Sequence, residues 1–439
     1  MPVGWAEVPI GEICDLKNGR AFKPAEWQGD GLPIVRIQNL NKRDAPYNYF
    51  AGEVGERNRL RGGELLFAWS GTPGTSFGAH IWAGGDAVLN QHIFRVDFND
   101  ALFDKRFLKH AINQTVNDLI DIAHGGVGLR HVTKGKFEAT KIAVAPLAEQ
   151  QRIADKLDAI LARVDACRDR LDRVAPMLQR FRQSVVNVAC GGALGLDRQN
   201  SSESEWDAAI LGDLLEGKPR NGYSPKSVDY VTGTRTLTLS ATTSGRFKPE
   251  HFKYIDEVIP PDSHLWLSPG NILIQRANTL EYVGTSAIYD RAPASFIYPD
   301  LMMKCRANAR VLPEFLLLLL KSDPVRQWFR SRATGTAGNM PKINQQTVMY
   351  APVRVPPLKV QREITDQVRR LMTLADELER RTTLAATSVG NLVPSALAKA
   401  FRGELVPHDA DDESAAVMVA RLAVQGSPQR ASKRGRRTA

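Results

Sequence analysis

The strongest constraint on the fold of this chain is a long segment that occurs twice. Residues 146–194 and 357–405 align without a gap at an offset of 211 residues. The matching pairs include Pro146/Pro357, Leu147/Leu358, Gln150/Gln361, Ile153/Ile364, Asp155/Asp366, Asp165/Asp376, Ser184/Ser395 and Gly192/Gly403. An internal repeat of this length indicates one structural unit used twice, so we expect both copies to fold alike.

Both copies carry apolar residues in alternating steps of four and three. This spacing is the a/d seam of a left-handed coiled coil, and a one-sided apolar stripe needs a partner. We expect the two helices to bury their seams against each other; two unrelated core helices would not explain the shared register. The seam residues are Ile153, Leu157, Ile160, Val164, Leu171, Val174, Leu178 and Phe181, with Ile364, Val368, Leu371, Leu378, Val389 and Leu392 in the second copy. The pattern continues to Val188 in the first copy, and in the second copy only Thr382 and Lys399 break it.

Each copy also contains one internal proline, Pro176 or Pro394. Proline has no backbone N–H to donate, and its ring clashes with the carbonyl four residues earlier. We therefore expect each helix to be kinked or split in two at this residue.

The composition limits which classes of protein this chain can belong to. A chain of 439 residues can form two or three domains, and no apolar run is long enough to span a membrane. Four cysteines without a CxxC pair exclude a thiolate zinc site and favour a reducing cytoplasm. The net charge of +10 permits a polyanionic partner. It supports nucleic-acid binding only weakly, because the charge is spread along the chain and the last ten residues are the one basic block.

The segments between the repeats predict two similar globular domains. Residues 1–145 contain short apolar or β-branched runs at 32–40, 63–71 and 87–96, typical of strands, and a helical pattern at 103–120. Residues 197–356 repeat this order with different side chains. We predict an α+β protein with the following segments: a first domain at 1–145, a long helix at 146–196, a second domain at 197–356, a long helix at 357–407, and a flexible, acidic-then-basic tail at 408–439.

The chain lacks the usual catalytic signatures. It has no phosphate-binding P-loop, no HExxH zinc motif, no GxSxG nucleophile motif and no dinucleotide fingerprint. Asp300 and Lys304 faintly suggest a nuclease metal site, but no second carboxylate has a useful spacing, so Asp300 is expected in a turn. We expect a binding and assembly protein with no metal and no cofactor of its own.

The layout and several strings resemble the specificity subunits of type I restriction–modification systems. The strings are PIGEICDLKNG, IVRIQNL, GELLFAWSG, LNQHIFRV, PLAEQQRI, PLKVQREI and FRGEL, and the resemblance spans Trp5 to Leu405. It implies that the two domains are target recognition domains and that the helices form an antiparallel spacer. It also implies that this spacer docks two S-adenosylmethionine-dependent adenine methyltransferase subunits, to which a restriction subunit adds ATP-driven translocation and cleavage. The chain itself would be non-catalytic and cytoplasmic, with no membrane partner.

The repeated layout also predicts a pseudo-symmetric molecule, as the resemblance implies. Two similar domains on two similar, mutually packed helices are related by a pseudo-two-fold axis, which makes the helices an antiparallel coiled coil. Such an arrangement reads double-stranded DNA as two half-sites separated by an unread gap. Because the domains differ in sequence, we expect the half-sites to differ and the target to be asymmetric.

Candidates for DNA contact are Arg, Lys, Asn, Gln, Ser, Thr and other polar side chains in loops at strand ends. In the first domain they are Arg20, Lys23, Gln38, Asn39, Asn41, Lys42, Arg43, Ser70, Thr72, His124, Arg130, His131 and Lys134. In the second they are Arg220, Asn221, Tyr223, Lys226, Ser240, Thr242, Arg246, Arg276, Asn278, Asn339, Lys342 and Asn344. An ordinary surface or turn role is the alternative for each residue. For the whole chain, the alternatives to DNA recognition are a coiled-coil scaffold whose domains bind protein, and an enzyme with an unfamiliar site.

Overall fold

A computed structural model describes residues 1–42, 45–71, 77–115, 130–191, 206–335 and 340–425. The chain forms two compact units, one comprising Met1–Asp169 with Ala386–Ala439 and the other Arg170–Ala385. Each unit holds one globular domain together with part of both long helices.

In the residues that the structure describes, the first domain is built from short strands and short helices. Its strands are β1 Ala6–Pro9, β2 Cys14–Asn18, β3 Leu32–Val35, β4 Asn48–Phe50, β5 Arg59–Leu60, β6 Leu65–Ala68, β7 Ser70–Gly71, β8 Gly78–Ile81, β9 Ala87–Leu89, β10 Ile93–Phe98, β11 Arg130–His131 and β12 Lys141–Val144. Its helices are α1 Ile10–Ile13, α2 Ile37–Asn41, α3 Lys105–Gln114 and α4 Lys134–Ala139. One antiparallel sheet has the order β2-β10-β6-β8 and another has the order β4-β3-β9-β5, in which β3 and β9 are parallel.

The second domain repeats this plan. Its strands are β13 Asp207–Ile210, β14 Arg220–Asn221, β15 Ser227–Val228, β16 Thr234–Leu237, β17 Phe252–Ile255, β18 Ile272–Gln275, β19 Ser286–Ile288, β20 Met302–Cys305 and β21 Pro352–Val355. Its helices are α6 Ser240–Thr243, α7 Pro313–Lys321, α8 Asp323–Arg332 and α9 Gln345–Met349. The sheet β14-β20-β18-β19 corresponds to β2-β10-β6-β8, and the pair β13-β21 corresponds to β1-β12. The predicted α+β class and the domain repeat are confirmed.

Some predicted elements end earlier than expected. The strand predicted at 32–40 stops at Val35, and the chain continues as α2. The helical pattern at 103–120 forms α3, which ends at Gln114. In the second domain the matching region is two helices, because Pro324 near the start of α8 cannot continue α7.

The two long helices are α5 Leu147–Cys190 and α10 Leu358–Phe401. The expectation that proline splits them is wrong, since each helix continues through Pro176 or Pro394. Both prolines are exposed. The carbonyl that each leaves without its helical partner can therefore bond water instead, which lowers the cost of the break.

The duplicated glutamine anchors each long helix to its own domain. Gln150 is fully buried; it accepts a hydrogen bond from the backbone N–H of Asp104 at 2.9 Å and donates to the carbonyl of Ala145 at 2.8 Å. Gln361 is equally buried; it accepts from the N–H of Leu312 at 2.8 Å and donates to Pro356 O at 2.8 Å. Asp104 and Leu312 are the N-cap residues of α3 and α7, so the glutamine fastens the end of the preceding strand to the start of the matching helix in both copies.

The long helices run antiparallel within each unit. In the first unit, Ile153 and Leu157 near the start of α5 share an apolar core with Ala400 near the end of α10. In the second unit, Ile364 near the start of α10 shares a core with Ala189 near the end of α5. In both units the start of one long helix packs against the end of the other, which confirms the predicted antiparallel packing.

The buried stripe follows the predicted seam only in part. Buried seam residues are Ile153, Leu157, Val164, Leu178, Ile364 and Val368. Half-buried ones are Ile160, Leu171, Val174, Leu371 and Val389. The seam assignment is wrong for Phe181, Leu378 and Leu392, which are 38%, 43% and 51% exposed.

Near the end of each helix the buried face moves by one residue. Ala189 is buried instead of Val188, and Ala400 is buried instead of Lys399. A straight α-helix drifts by about 20° per heptad against a strict seven-residue repeat. Over several heptads this drift turns the predicted seam positions away from the core.

The expectation of a flexible tail is wrong for residues 408–425. Helix α11, Ala415–Gln425, buries Ala415 and Met418 in the core of the first unit. The N–H of Ala415 donates to Gly4 O at 2.8 Å, and Arg152 pairs with Asp412 at 2.6 Å. Residues 426–439, which include the basic block, lie outside the described residues.

In the described part of the chain, no helix combines the length and apolarity needed to cross a lipid bilayer. The four cysteines form no disulfide. Burial raises the pKa of the Cys14 thiol to about 12, with a further contribution from Asp97, and burial alone does the same for Cys305.

Candidate nucleic-acid interface

Most described candidate residues of the first domain lie at one edge of its main sheet. Strands β2 and β6 end at Asn18 and Ala68, and β10 begins at Ile93, so antiparallel pairing places all three at the same edge. The parallel pair β3 and β9 ends there too, because Asn90 N donates to Val35 O at 3.1 Å. We call the loops 18–23, 36–42, 69–71 and 90–92 the first recognition edge.

The second domain builds the same edge from different side chains. Strands β14 and β18 end at Asn221 and Gln275, and β20 begins at Met302. The loops 221–226, 238–246, 276–278 and 299–301 form the second recognition edge.

The turn that leaves the first strand of each edge is the same. Gly19 N donates to Ile93 O at 3.2 Å, and Gly222 N donates to Met302 O at 3.1 Å. A Cβ atom would lie 2.2 Å from Asn90 O at Gly19 and 2.2 Å from Tyr298 O at Gly222. Only glycine allows the chain to pass this close, so the backbone requires the glycine of the Asn-Gly pair in both domains.

Most described candidates present polar side chains to solvent. The exposed ones are Lys23, Gln38, Asn41, Lys42, Lys134, Arg220, Asn221, Tyr223, Lys226, Ser240, Arg246, Lys342 and Asn344. Arg20, Arg276 and Asn278 are half-buried. Cationic side chains of this kind suit phosphates, and amides suit base edges.

Three candidates are buried and hold loops together, so we remove them from the interface. Asn39 accepts from Arg36 N at 3.0 Å and donates to Ala45 O at 3.2 Å. Thr242 accepts from the side-chain amide of Gln275 at 2.9 Å. Ser70 is 4% exposed within β7. An Asn three residues into a helical turn is a typical capping residue, which is the signal that the sequence prediction missed for Asn39.

Other candidates carry a structural contact as well as an exposed surface. Asn344 caps α9 by accepting from Thr347 N at 2.8 Å. Arg20 pairs with Glu26, and its guanidinium lies 4.6 Å from the centre of the Phe50 ring.

Some candidates cannot be placed. Arg43, Thr72, His124 and Asn339 lie outside the described residues, as do the side chains of Arg130 and His131.

Sequence reasoning missed an aromatic residue beside the first recognition edge. Trp27 is 40% exposed, and the Arg36 guanidinium lies 5.5 Å from the centre of its ring. The signal was a tryptophan within a polar, Gly-rich loop, where no core contact would be expected. A solvent-exposed Trp paired with Arg is a surface suited to stacking and to charge at once.

The weak nuclease motif forms a turn, as expected. The Asp300 N–H donates to the Ser224 hydroxyl at 3.0 Å, and the Lys304 amine donates to the carbonyl of Trp266 at 2.9 Å. Burial lowers the pKa of Lys304, and the positive charge of Arg220 lowers it further. Over the described residues, no group of three or more His, Cys, Asp or Glu side chains could hold a metal ion.

Known proteins share this architecture. Residues 2–174 match the family model for the type I restriction modification DNA specificity domain. The EcoBI specificity subunit of a type I restriction enzyme from Escherichia coli is 26% identical over 427 residues, covering 91% of this chain and 86% of the relative. The EcoKI specificity subunit from Escherichia coli strain K12 is 27% identical over 431 residues, covering 92% and 90%.

Solved structures agree on the fold. A chain from the type I R-M system gives a TM-score of 0.66 at 18% identity, covering 92% of this chain and 99% of that one. The HsdS subunit from Thermoanaerobacter tengcongensis gives 0.59 at 18% identity, covering 92% and 98%.

Two tandem domains of one plan, each joined to a long helix that packs against the other, are the architecture that the chain shares with these solved structures. Residues 2–174 thus match the type I restriction modification DNA specificity domain, and the chain as a whole is similar to type I restriction enzyme specificity subunits. The resemblance stated from the sequence is thereby confirmed, as is the expectation that this is a non-catalytic subunit.

Proposed function

We propose that this subunit reads a two-part, asymmetric DNA site through its two recognition edges. The observation that carries the proposal is the repetition of one edge with different side chains. Arg20 follows the shared turn at Gly19, whereas Tyr223 follows the same turn at Gly222. The same backbone thus presents unlike chemistry in the two domains, which favours two different half-sites.

Within each edge we assign contacts by chemistry. The exposed lysines Lys23, Lys42 and Lys226 suit phosphate oxygens, as does Lys342, which lies beside the second edge opposite Ala277. These contacts would give salt-dependent affinity. The exposed amides of Gln38, Asn41 and Asn221 suit base edges in the major groove, where a good pair contributes about 1–3 kcal/mol of discrimination.

The long helices are the proposed docking surface for two methyltransferase subunits, which would supply the S-adenosylmethionine chemistry. Apolar side chains that the helices leave uncovered support this assignment. Met177, Phe181, Leu374 and Leu378 are all at least 38% exposed. Uncovered apolar side chains on one helical pair are typical of a surface that a partner protein covers. A restriction subunit would join the same complex, which we place in the cytoplasm.

The test is to assemble the full chain with its methyltransferase subunits and to sequence every methylated site in a random DNA library. We expect one motif with two unlike halves and a gap of fixed length. A complex that forms normally but shows no DNA preference would support the scaffold alternative. Turnover by the chain alone would support an unfamiliar enzyme.

A further inference from the structure

A buried glutamine organises the second recognition edge. Gln275, at the end of β18, is fully buried. Its side-chain amide donates to Leu239 O at 2.9 Å and to the Thr242 hydroxyl at 2.9 Å. It accepts from the side-chain amide of Asn278 at 2.7 Å. These bonds hold α6 and the loop after β18 in one position relative to each other.

The loop after α6 continues this network to the long helices. Gly245 has a φ of +73° and donates from its N–H to Thr242 O at 2.9 Å, which turns the chain at the end of α6. The next residue, Arg246, donates to both carboxylate oxygens of Asp376 on α10 at 2.7 Å. Asp376 also accepts from Arg182 on α5 at 2.8 Å. A continuous set of hydrogen bonds therefore joins the second recognition edge to both helices.

The first unit has the same aspartate without the same contact. Asp165 is the counterpart of Asp376 in the repeat. Its side chain is 70% exposed and pairs with Arg168, three residues further along its own helix, at 3.6 Å. The duplication kept the carboxylate, but the described contact from a recognition domain exists in the second copy alone.

We propose that Asp376, acting through Arg246, is a positioning residue that sets how the second recognition edge meets its half-site. This inference rests on the proposed two-part DNA recognition. Arg246 and Asp376 are partly exposed, so their pair adds little to stability. Both bonds come from Nη2 of Arg246, and together they hold its guanidinium against the carboxylate. A recognition site must be held to within about half an ångström to discriminate.

The charge state of Asp376 is consistent with this role. Partial burial by itself would raise the pKa of the carboxyl group, but the hydrogen bonds from Arg246 and Arg182 outweigh it and hold the pKa below its ordinary value. The carboxylate therefore stays ionised across the neutral range.

The experiment uses the full chain with its methyltransferase subunits and DNA libraries randomised at one half-site at a time. Discrimination is the ratio of methylation at the preferred half-site to methylation at single-base variants. Arg246→Met and Asp376→Asn should each lower discrimination at the second half-site roughly fivefold or more, while the first half-site is unchanged. Asp376→Glu, which keeps the carboxylate, should recover part of the loss. The matched control, Asp165→Asn, should change neither half-site.

The possible outcomes separate the two claims. An equal loss at both half-sites would overturn the positioning role, since that pattern indicates general destabilisation. Unchanged discrimination in Arg246→Met and Asp376→Asn, with a clear two-part motif in the unaltered protein, would also overturn it. If the unaltered protein showed no two-part motif, the proposed function itself would fail. A loss confined to the second half-site, with an unchanged unfolding temperature, would establish the inference.

Discussion

The two domains keep the same scaffold but are fastened to the repeated helices by different aspartates. In the first unit, Arg106 of α3 pairs with Asp155 at 2.8 Å, whereas the matching Asp366 pairs with Arg369 of its own helix. In the second unit the roles are exchanged, because Asp376 bonds Arg246, while Asp165 pairs with Arg168 of its own helix and with no described residue of the first domain. The comparison teaches that duplication preserved the helices more strictly than the contacts by which each domain attaches.

Some of the residues that are identical in the two copies occupy positions where the backbone allows no other side chain. Gln150 and Gln361 satisfy buried backbone groups, and Gly19 and Gly222 pass too close to a carbonyl for any side chain. A buried donor or acceptor without a partner costs about 1–3 kcal/mol, so such positions tolerate little change. The exposed residues that follow each glycine have no such constraint and differ freely.

The largest expected effect comes from a charge on the buried helix face. Ala189→Asp and Ala400→Asp should each cost several kcal/mol, because both positions are fully buried at matching places in the repeat. Thermal unfolding and soluble yield measure the loss. Val188→Asp is the control, since Val188 is 36% exposed and its counterpart Lys399 is already charged. Equal damage from Val188→Asp would show that the strict heptad, not the shifted face, is the true contact.

That shift marks a limit of prediction from sequence. The repeat, the helices, their antiparallel packing and the domain class all followed from the ungapped alignment and its apolar period. The exact buried face did not, because a heptad pattern does not say how far a straight helix drifts from it. The burial of Asn39 and Thr242 did not follow either, since a polar residue at a strand end serves a turn or a ligand equally well. The prediction of a flexible tail was wrong for residues 408–425 because the acidic segment 409–413 is typical of a solvated chain, although a short apolar helix follows it.

The second effect should be confined to the first unit. Met418→Ala should cost about 2–5 kcal/mol, because Met418 is 1% exposed within that unit's core. Hydrogen exchange should speed up in β2 and β10 while β18 and β20 keep their protection. Val424→Ala, at an 87% exposed position on the same helix, should leave both sets unchanged. Faster exchange in β18 would contradict the assignment of α11 to the first unit alone.

The third effect compares the two anchors directly. Gln150→Leu and Gln361→Leu should each destabilise the chain by about 1–3 kcal/mol. Gln361 should matter more, because it also donates to Arg310 O at 3.0 Å. Urea unfolding measures the difference, with the exposed neighbour Gln151→Leu as the control. If Gln150→Leu lost more stability than Gln361→Leu, the number of hydrogen bonds would not determine which glutamine contributes more.

The smallest effect concerns Lys321, at the end of α7. Burial lowers the pKa of its amine to about 8, and the positive charge of Arg246 lowers it further. Above pH 8 the unfolded chain keeps a proton that the folded chain has released, so stability should rise as pH increases towards the ordinary pKa of 10.5. Between pH 7.5 and 9 the gain should be on the order of 1 kcal/mol. Urea titrations should show this gain in stability in the unaltered protein but not in Lys321→Met. An identical pH dependence in both proteins would contradict the lowered pKa of Lys321.

The central claim is that each domain reads its own half of one DNA site, and a domain exchange tests it most directly. Residues 1–145 are replaced by the first domain of another specificity subunit, and the methylated sites of the assembled complex are sequenced. The account predicts that one half of the motif changes while the other half and the gap are retained. A change in both halves, or in neither, would contradict it.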